Sequence, residues 1–526
     1  MRATLATRTG PAARGSIGER RLPAGERCFG LGGGGDAGPV TDVRPEDRSA
    51  QGPSPDEPDP RRWRILAVTL VIGFMALLDV TIVNVALPSI RQGLGASAGA
   101  VQWIISGYAL TFGLTLVSGG RLGDTYGRRR MMLIGLTGFV ISSAAVGLAP
   151  NEELVVAARL VQGVAAGLLT PQNSGLIQEL FRGPERGRAF GYFGLTVSVS
   201  AATGPVLGGL IISALGDDLG WRAIFLVNVP IGVLALFFIA RLVPGPTVSV
   251  EEQRASRLDL VGAALLGGAV LSILLPLISG MEAASPVLAL LVLAPVFLVA
   301  FARWERRLVA RGEQPLLDVS LLRRAPGYAS GIAVGTLYFT GFTGVFLVLS
   351  VYLQDGLGYS ALATGLLLTP FALGSALTAT PAGRLVSRIG RKVTVLAVSV
   401  VIVGLLLVAL LTPDQGDRLM WPLLVAPLLL AGLGGGGVVS PNFTLTLAEV
   451  PPSMGGAAGG ALQTGQRIGS ALGAALLMTA YQVTLGHTDD TGTALRVALG
   501  SALVLLALTL VLAVRDLRLD SQRDLG

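Results

Sequence analysis

The chain has 526 residues, of which 51% are hydrophobic and only 14% are charged, and its formal net charge is +7. A soluble domain carries about 25% charged residues, so this composition excludes an ordinary soluble protein. The single histidine, His487, argues against a histidine-ligated metal site and a Ser-His-Asp hydrolase, and the single cysteine, Cys28, has no partner for an internal disulfide.

Residues 1–60 differ from the rest of the chain. They are rich in Gly, Pro, Arg, Asp and Glu, with the runs GLGGGG (Gly30 to Gly35) and PSPDEPDP (Pro53 to Pro60). Such a segment has too few apolar side chains to bury a core, and we expect it to be disordered. It also lacks the apolar stretch of a cleaved signal peptide.

From Arg61 onward, long apolar runs alternate with short polar segments. Many runs have about 18 residues or more, the length that crosses roughly 30 Å of hydrocarbon as a helix. We therefore predict an all-α, polytopic membrane protein. The fourteen predicted helices span about 64–88, 101–119, 131–149, 153–178, 188–214, 222–243, 259–279, 286–303, 328–353, 362–381, 393–411, 421–443, 456–481 and 493–514.

Clusters of basic residues lie beside the predicted helices, and the alternate loops carry mostly acidic residues. With fourteen helices, every basic cluster falls on one side of the membrane, which the positive-inside rule makes the cytoplasmic side. Both termini then lie in the cytoplasm, and the net positive charge gives no reason to expect a nucleic-acid partner. The clusters include Arg61, Arg62 and Arg64; Arg128 to Arg130; Arg182, Arg186 and Arg188; Arg388, Arg391 and Lys392; and Arg515 and Arg518.

One ten-residue pattern occurs twice. GRLGDTYGRR (Gly120 to Arg129) recurs as GRLVSRIGRK (Gly383 to Lys392), and each copy follows the second helix of a predicted series of six. This repeat predicts two homologous six-helix bundles. The expected organisation is a disordered tail at 1–60, a first bundle at 61–243, a linker with two extra membrane helices at 244–325, a second bundle at 326–514 and a cytoplasmic tail at 515–526.

The segment from Gly119 to Arg130 has features that a simple positive anchor leaves unexplained. We expect Gly123 and Gly127 to form a tight loop between two antiparallel helices. Asp124 is placed to pair with Arg128, four residues on, or to meet the N-terminus of a neighbouring helix. We interpret the segment as a charge latch between the two bundles, with a plain anchor as the alternative. The latch residues are Gly120, Asp124, Gly127, Arg128 and Arg129.

These residues resemble the G-x-L-x-D-x-x-G-R-R-R loop of the major facilitator superfamily. From Arg61 to its C-terminus the chain further resembles the fourteen-helix drug:proton antiporters of the EmrB/QacA type. It departs from the family at Ser200, where a glycine is expected, and at Ser387, where the second loop copy would carry aspartate. The matching segments are LDVTIVNVALP (Leu78 to Pro88), RLVQGVAAG (Arg159 to Gly167), TGPVLGG (Thr203 to Gly209), WRAIFLVNVPIG (Trp221 to Gly232) and YLQDGLGYSALATGLLLTP (Tyr352 to Pro370).

Asp79 is the carboxylate found deep within a predicted helix. Counted at about 1.5 Å per residue from the helix ends, Asp79 and Arg159 lie at similar depths in the membrane. Opposite charges at matching depth reduce each other's cost, so we expect them to pair directly, through Gln162 or through water. We interpret Asp79, Arg159 and Gln162 as a proton-coupling group, a role that the resemblance supports. The alternatives are a structural aspartate and an arginine that snorkels to the outer surface.

The outer half of the fifth predicted helix contains three glycines and a proline: Gly204, Pro205, Gly208 and Gly209. Proline inside a helix removes a hydrogen bond and kinks it, and glycines four residues apart allow close packing. A packing kink follows whatever the protein does. The resemblance implies in addition that the kinked face closes against the other bundle, as in antiporters.

A central cavity between the bundles would place a few polar groups on an apolar wall. Each polar residue in a helix is also a candidate for a helix–helix hydrogen bond. The substrate-binding candidates are Asn84, Trp103, Tyr108, Gln172, Asn173, Asn228, Tyr338 and Gln463. Further polar or aromatic residues in the predicted helices are Gln102, Phe339, Asn442, Gln466 and Arg467.

The resemblance implies a monomeric, proton-driven exporter of an amphipathic drug or natural product, working by alternating access in the cytoplasmic membrane. No phosphate-binding motif is found, so we expect a proton gradient, with no cofactor, no metal and no enzymatic activity. Import or metabolite exchange on the same fold is the alternative, and a membrane-embedded enzyme or sensor is a remote one. The second bundle adds no deep carboxylate, which favours a neutral, zwitterionic or anionic substrate, although Asp79 and aromatic faces could also hold a cation.

Overall fold

The computed structural model describes residues 59–245, 259–278, 286–412 and 420–523. Apart from Asp59 and Pro60, the predicted tail at 1–60 lies outside the described residues. So do residues 246–258 and 279–285 of the predicted linker, and the last three residues of the predicted C-terminal tail. Within the described ranges the secondary structure is helical, without a strand.

The described residues contain fourteen helices of 15 residues or more, which confirms the predicted all-α membrane architecture. Within the described ranges, thirteen apolar stretches are long enough to cross a membrane, and one of them, Gly183–Leu242, contains two of these helices. The helices are α1 Arg62–Leu94, α2 Ala98–Tyr126, α3 Arg128–Gly147, α4 Glu152–Leu180, α5 Gly183–Leu226, α6 Asn228–Leu242, α7 Leu260–Ile278, α8 Leu290–Ala310, α9 Pro326–Val351, α10 Ala361–Ile389, α11 Lys392–Leu411, α12 Met420–Thr446, α13 Gly455–Thr488 and α14 Thr491–Arg523.

Side-chain caps fix where several helices begin. Ser97, Asn151 and Ser360 each accept a hydrogen bond from the backbone N–H three residues on, at the starts of α2, α4 and α10. Such caps satisfy amide groups that have no partner within the helix. At the other end, α1 stops at Gly95, whose φ of 63° lies in the left-handed region that glycine tolerates.

Several predicted boundaries are wrong, and two of them concern predicted site residues. Helix α2 continues to Tyr126, so Gly123 lies inside a helix and not in a tight loop; the chain turns at Gly127 alone, where φ is 92°. Helix α5 continues past the predicted end at residue 214 to Leu226, and its non-helical residue is Gly216, with φ 76° and ψ 172°. The helix runs through Pro205 without a break in its assignment.

The two halves of the chain pack their helices in the same pairs. In α1–α6, the N-terminal half, α1 lies along α5 and α2 lies along α4; in α9–α14, the C-terminal half, α9 lies along α13 and α10 along α12. The halves meet through equivalent contacts of α2 with α13 and of α10 with α5. Helices α7 and α8 pack on each other, and α7 lies against both α2 and α13. This arrangement is the structural counterpart of the sequence repeat.

Each half has its own apolar core, built around buried aromatic rings such as Phe139 in the first and Tyr481 in the second. The repeated motif lies at one end of both halves. We call this the basic end, and it carries Arg128 and Arg391.

Candidate functional site

Asp79 on α1 is 1% exposed, and its carboxylate binds donors from two other helices. Oδ2 lies 2.5 Å from an Nη atom of Arg159 on α4. Oδ1 accepts hydrogen bonds from the side-chain amides of Gln162, also on α4, at 3.1 Å, and of Asn228 on α6, at 3.3 Å. Asp79 and Arg159 therefore pair directly, and Gln162 bridges them, since its Oε1 accepts from Arg159 at 2.9 Å.

The hydrogen-bond and ring contacts of Arg159 come from helices of the N-terminal half. Arg159 is 1% exposed; its Nε donates to the carbonyl oxygen of Ile104 at 3.0 Å, and its guanidinium lies 4.0 Å from the ring centre of Tyr108. The Tyr108 hydroxyl donates to the Ala76 carbonyl at 3.3 Å. This buried position contradicts the snorkelling alternative for Arg159.

Arg159 has several partners besides Asp79. A buried charge that loses its partner costs about 3–5 kcal/mol. Arg159 would keep the Ile104 carbonyl, Gln162 and the face of Tyr108 if Asp79 became neutral. A carboxylic acid could still accept the bond from Asn228. The charge of Arg159 therefore does not depend on Asp79 alone for its partners.

At the basic end, Asp124 makes both of the contacts considered for it from the sequence. Its Oδ1 lies 2.7 Å from an Nη atom of Arg128, four residues on. The same carboxylate accepts backbone hydrogen bonds from Gly456 at 3.0 Å and Ala457 at 2.8 Å, in the first turn of α13. A carboxylate at a helix N-terminus meets unpaired amides and the positive end of the helix dipole. Asp124 thus ties the N-terminal half to the C-terminal half.

Other residues of the motif extend this contact. Arg128 also binds Glu179 at 3.1 Å and donates to the carbonyl oxygen of Pro452, in front of α13, at 3.1 Å. Gly120 packs so closely on the carbonyl of Gly456 that a Cβ would clash with it. Arg129 points elsewhere, to the Ala240 carbonyl within the N-terminal half.

The second copy of the motif makes a different set of contacts. Gly383 packs on the Gly187 carbonyl of the opposite half, as Gly120 does on Gly456, and Gly390 turns the chain with a φ of 54°. Arg391 pairs with Asp516 at 2.5 Å within its own half. Ser387, at the position of Asp124, donates to the Arg384 carbonyl and reaches no partner in the other half. The charge contact between the halves is therefore asymmetric.

Among the four predicted kink residues, Gly204 packs against its own half and not against the opposite half. A Cβ at Gly204 would meet Thr81 of α1, within the same half. Gly208 is buried, Pro205 is exposed, and Gly209 has open space beside it. In this structure the segment packs α5 against α1.

A cavity of about 180 Å³ lies between the two halves. Aromatic rings of both halves line it: Phe193 from α5, Phe339 from α9 and Phe443 from α12. Its polar lining comes mainly from one helix, α13, in which residues 463, 466, 467 and 470 recur at the spacing of a single helical face. These four residues are Gln463, Gln466, Arg467 and Ser470.

Gln463 is the predicted substrate contact that lines this cavity. Most of the others make contacts between helices instead, and the side chain of Asn84 lies outside the described residues. Tyr108 lies under Arg159, Asn228 binds Asp79, Gln172 donates to the carbonyls of Gly119 and Leu168, and Asn173 packs against Gly73. Tyr338 stacks on Phe342 of its own helix, and Trp103 is 42% exposed.

Sequence reasoning also missed Phe193, Phe443 and a further buried carboxyl, that of Glu305. Glu305 is fully buried in α8, which runs seven residues beyond its predicted end at 303, to Ala310. A helix can extend beyond the apolar window that identifies it, so a residue placed in a loop can be buried. The one-face spacing on α13 is the signal that could have grouped Arg467 with Gln463.

Comparison with known proteins places these features in a family. The sequence matches the Major Facilitator Superfamily profile over residues 69–474. It is 37% identical over 481 residues to the probable actinorhodin transporter of Streptomyces coelicolor, covering 88% of this chain and 81% of the relative. It is 38% identical over 506 residues to the puromycin resistance protein pur8 of Streptomyces alboniger, covering 93% of this chain and 97% of the relative.

Among solved structures, the human organic anion transporter MFSD10 (TETRAN) superposes with a TM-score of 0.62 and 19% identity, covering 86% of this chain and 100% of the other. At this identity the likeness is one of fold. The profile match over most of the chain, together with these relatives, shows the family. The chain is a multi-pass membrane protein that belongs to the Major Facilitator Superfamily.

Proposed function

We propose that this protein exports an amphipathic drug or natural product from the cytoplasm in exchange for protons. The buried Asp79–Arg159 pair carries the proposal, because it puts one ionisable carboxyl in a helix bundle with a ready set of alternative partners for its counter-ion. The relatives named for actinorhodin transport and puromycin resistance support the direction of transport and the kind of substrate.

In this proposal the basic end faces the cytoplasm, as the positive-inside rule requires, and the protein acts as a monomer in the cytoplasmic membrane. The two six-helix halves rock about the central cavity. The Asp124 contact with α13 holds the cytoplasmic ends together while the cavity opens outward. Gly120, Gly127 and Arg128 support the latch, and Arg129 anchors α3 within its half.

Protonation of Asp79 from outside neutralises its charge and loosens the contact with Arg159, which favours return to the inward-open state. Substrate binding from the cytoplasm or inner leaflet then promotes release of the proton inward. The energy comes from the proton gradient alone. The proposal assigns the protein no cofactor, no metal and no enzymatic reaction.

The test is accumulation of a panel of lipophilic dyes and antibiotics in an efflux-deficient host. The wild-type protein is expected to lower accumulation of at least one compound, and both an uncoupler and Asp79→Asn are expected to abolish this effect. Asp355→Asn, at an exposed aspartate, is the matched control and should export normally.

Three results would contradict parts of the proposal. Export that survives Asp79→Asn would remove Asp79 from proton coupling. Export that survives the uncoupler would remove the gradient as the energy source. A compound that accumulates more in cells with the protein, in a proton-dependent way, would indicate import by the same fold.

A further inference from the structure

Arg467 lies in the middle of α13 and is one of the residues that line the cavity between the two halves. Its guanidinium lies 4.4 Å from the ring centre of Phe112 on α2. Within the described part of the chain, Arg467 has no carboxylate at ion-pair distance. An arginine that is desolvated without an anionic partner carries an uncompensated charge, which a ligand can neutralise.

The neighbours of Arg467 on the same face of α13 add further donors. The amide nitrogens of Gln463 and Gln466 are buried and have no hydrogen-bond partner. Gln463 as a whole is only 7% exposed. Unpaired buried donors are rare in folded proteins. Together with the Arg467 guanidinium on the same face of α13, these two amides can donate hydrogen bonds to the acidic group of a ligand.

No acidic side chain lines this cavity among the described residues. The nearby carboxylate Asp79 is already engaged by Arg159, Gln162 and Asn228. The electrostatic character of the cavity is therefore positive, and a cationic compound entering it would meet Arg467 without a counter-ion. The opposite walls carry Phe193, Phe339 and Phe443, whose rings suit a flat apolar body.

We infer that the substrate is an organic anion: an aromatic compound whose carboxylate or phenolate binds Arg467, while Gln463 and Gln466 donate to the same acidic group. Guanidinium binds a carboxylate through two parallel hydrogen bonds, which gives orientation as well as affinity. At about 180 Å³ the cavity encloses only the acidic end of a drug-sized compound. The remainder is accommodated as the halves separate. This inference rests on the proposed export function and names its substrate class.

The probes are fluorescein, an anion, and rhodamine 123, a cation built on a closely similar xanthene ring system. Binding to the purified full chain is measured by fluorescence anisotropy without any proton gradient, so it is independent of coupling at Asp79. We expect the wild type to bind fluorescein more tightly than rhodamine 123. Arg467→Gln should weaken fluorescein binding by about tenfold to a hundredfold and leave rhodamine 123 binding unchanged or tighter. Arg467→Lys should restore part of the loss.

Size-exclusion profiles and thermal unfolding of the variants show whether each is folded, and the lysine variant keeps the test informative if the glutamine variant is unstable. Absence of fluorescein binding, equal binding of both dyes, or an Arg467→Gln variant that binds fluorescein normally would overturn the inference. Efflux of rhodamine 123 that depends on Asp79, without fluorescein binding, would leave the export function standing and refute the anionic substrate. Fluorescein binding that depends on Arg467, without efflux of either dye, would support the cavity chemistry and count against export.

Discussion

The ring of Tyr108 lies 4.0 Å below the guanidinium of Arg159, and one helical turn away Phe112 lies 4.4 Å from the guanidinium of Arg467. The two rings contact each other edge to face at 5.7 Å between centres. Helix α2 thus places two aromatic rings between a buried arginine of the N-terminal half and a half-buried arginine of the C-terminal half. The two rings therefore connect the Asp79–Arg159 pair to Arg467, which gives a charge change at either one a short route to the other.

This geometry predicts that Phe112→Leu weakens binding at Arg467. Leucine keeps most of the apolar volume but loses the attraction between the ring and the cation, which is worth about 0.5–2 kcal/mol. We expect fluorescein affinity to change by about two- to thirtyfold, measured by anisotropy. Phe139→Leu, in the core of the N-terminal half, is the control and should leave affinity unchanged. An equal effect of the two substitutions would show that packing alone is responsible.

The Asp79–Arg159 pair predicts strong coupling in a double-mutant cycle. Arg159→Gln leaves the Asp79 carboxylate buried with only amide donors, and should lower the free energy of unfolding by about 3–5 kcal/mol. Asp79→Asn combined with Arg159→Gln should recover part of this loss, because no lone charge remains. The readout is unfolding of the purified protein in detergent.

A matched control for this cycle is the pair of Arg62 with Glu185, at 3.0 Å, in which Glu185 is 44% exposed. Arg62→Gln should cost less than about 1 kcal/mol, since water screens the charges. Strictly additive effects of Asp79→Asn and Arg159→Gln would mean that the two side chains do not depend on each other for stability.

Some of this site could be predicted from the sequence. Two opposite charges at similar depth, counted from helix ends, led to the Asp79–Arg159 pair, because depth along a straight helix depends only on residue number. The fourteen helices followed from apolar windows. The rotation of a helix about its own axis is harder to predict, because α13 is rich in glycine and polar on more than one face. The sequence therefore does not separate Gln463, which lines the cavity, from Gln172 and Asn173, which bind other helices.

The boundary errors have a related cause. The apolar window of α2 ends where the charges of the motif begin, yet the backbone hydrogen bonds continue through Asp124 to Tyr126. The side chain of Asp124 is therefore carried by a rigid helix to the first turn of α13 and not by a mobile loop. A latch built in this way responds to movement of the whole helix.

The latch predicts increased opening at the basic end in Asp124→Asn. The neutral amide loses the ion pair with Arg128 and has one oxygen for two backbone donors. A reporter cysteine at Ser174, which is 1% exposed and packs against Gly459 of α13, is placed at the interface. With Cys28 replaced by serine, maleimide labelling of Ser174→Cys should be slow, and about tenfold faster when Asp124→Asn is added.

The second copy of the motif supplies the control for this measurement. Ser387→Ala changes the residue equivalent to Asp124, which reaches no partner in the opposite half, so labelling at position 174 should stay slow. Equal labelling rates in the wild type and Asp124→Asn would show that the glycine contacts, such as Gly120 with Gly456, close this end without the carboxylate.

The extra helix pair contains two carboxyl groups whose arrangement predicts a stabilising substitution. The carboxyl groups of Asp259 and Glu305 approach the same point beside Gly262. A Cβ added at Gly262 would clash with Oδ2 of Asp259 and lie 2.6 Å from Oε1 of Glu305. Glu305 is fully buried, and Oδ1 of Asp259 accepts a hydrogen bond from the Trp304 indole at 2.9 Å. Two carboxylates this close would repel each other if both were ionised.

Glu305→Gln keeps the shape, cannot be ionised and carries a donor that Asp259 can accept, so the apparent melting temperature should rise. Glu305→Ala, which also removes the carboxyl but leaves a cavity, should lower it. A lower melting temperature for Glu305→Gln would show that the charged carboxyl is needed here, and would direct attention to Arg121, the basic side chain of α2 that interacts electrostatically with Glu305.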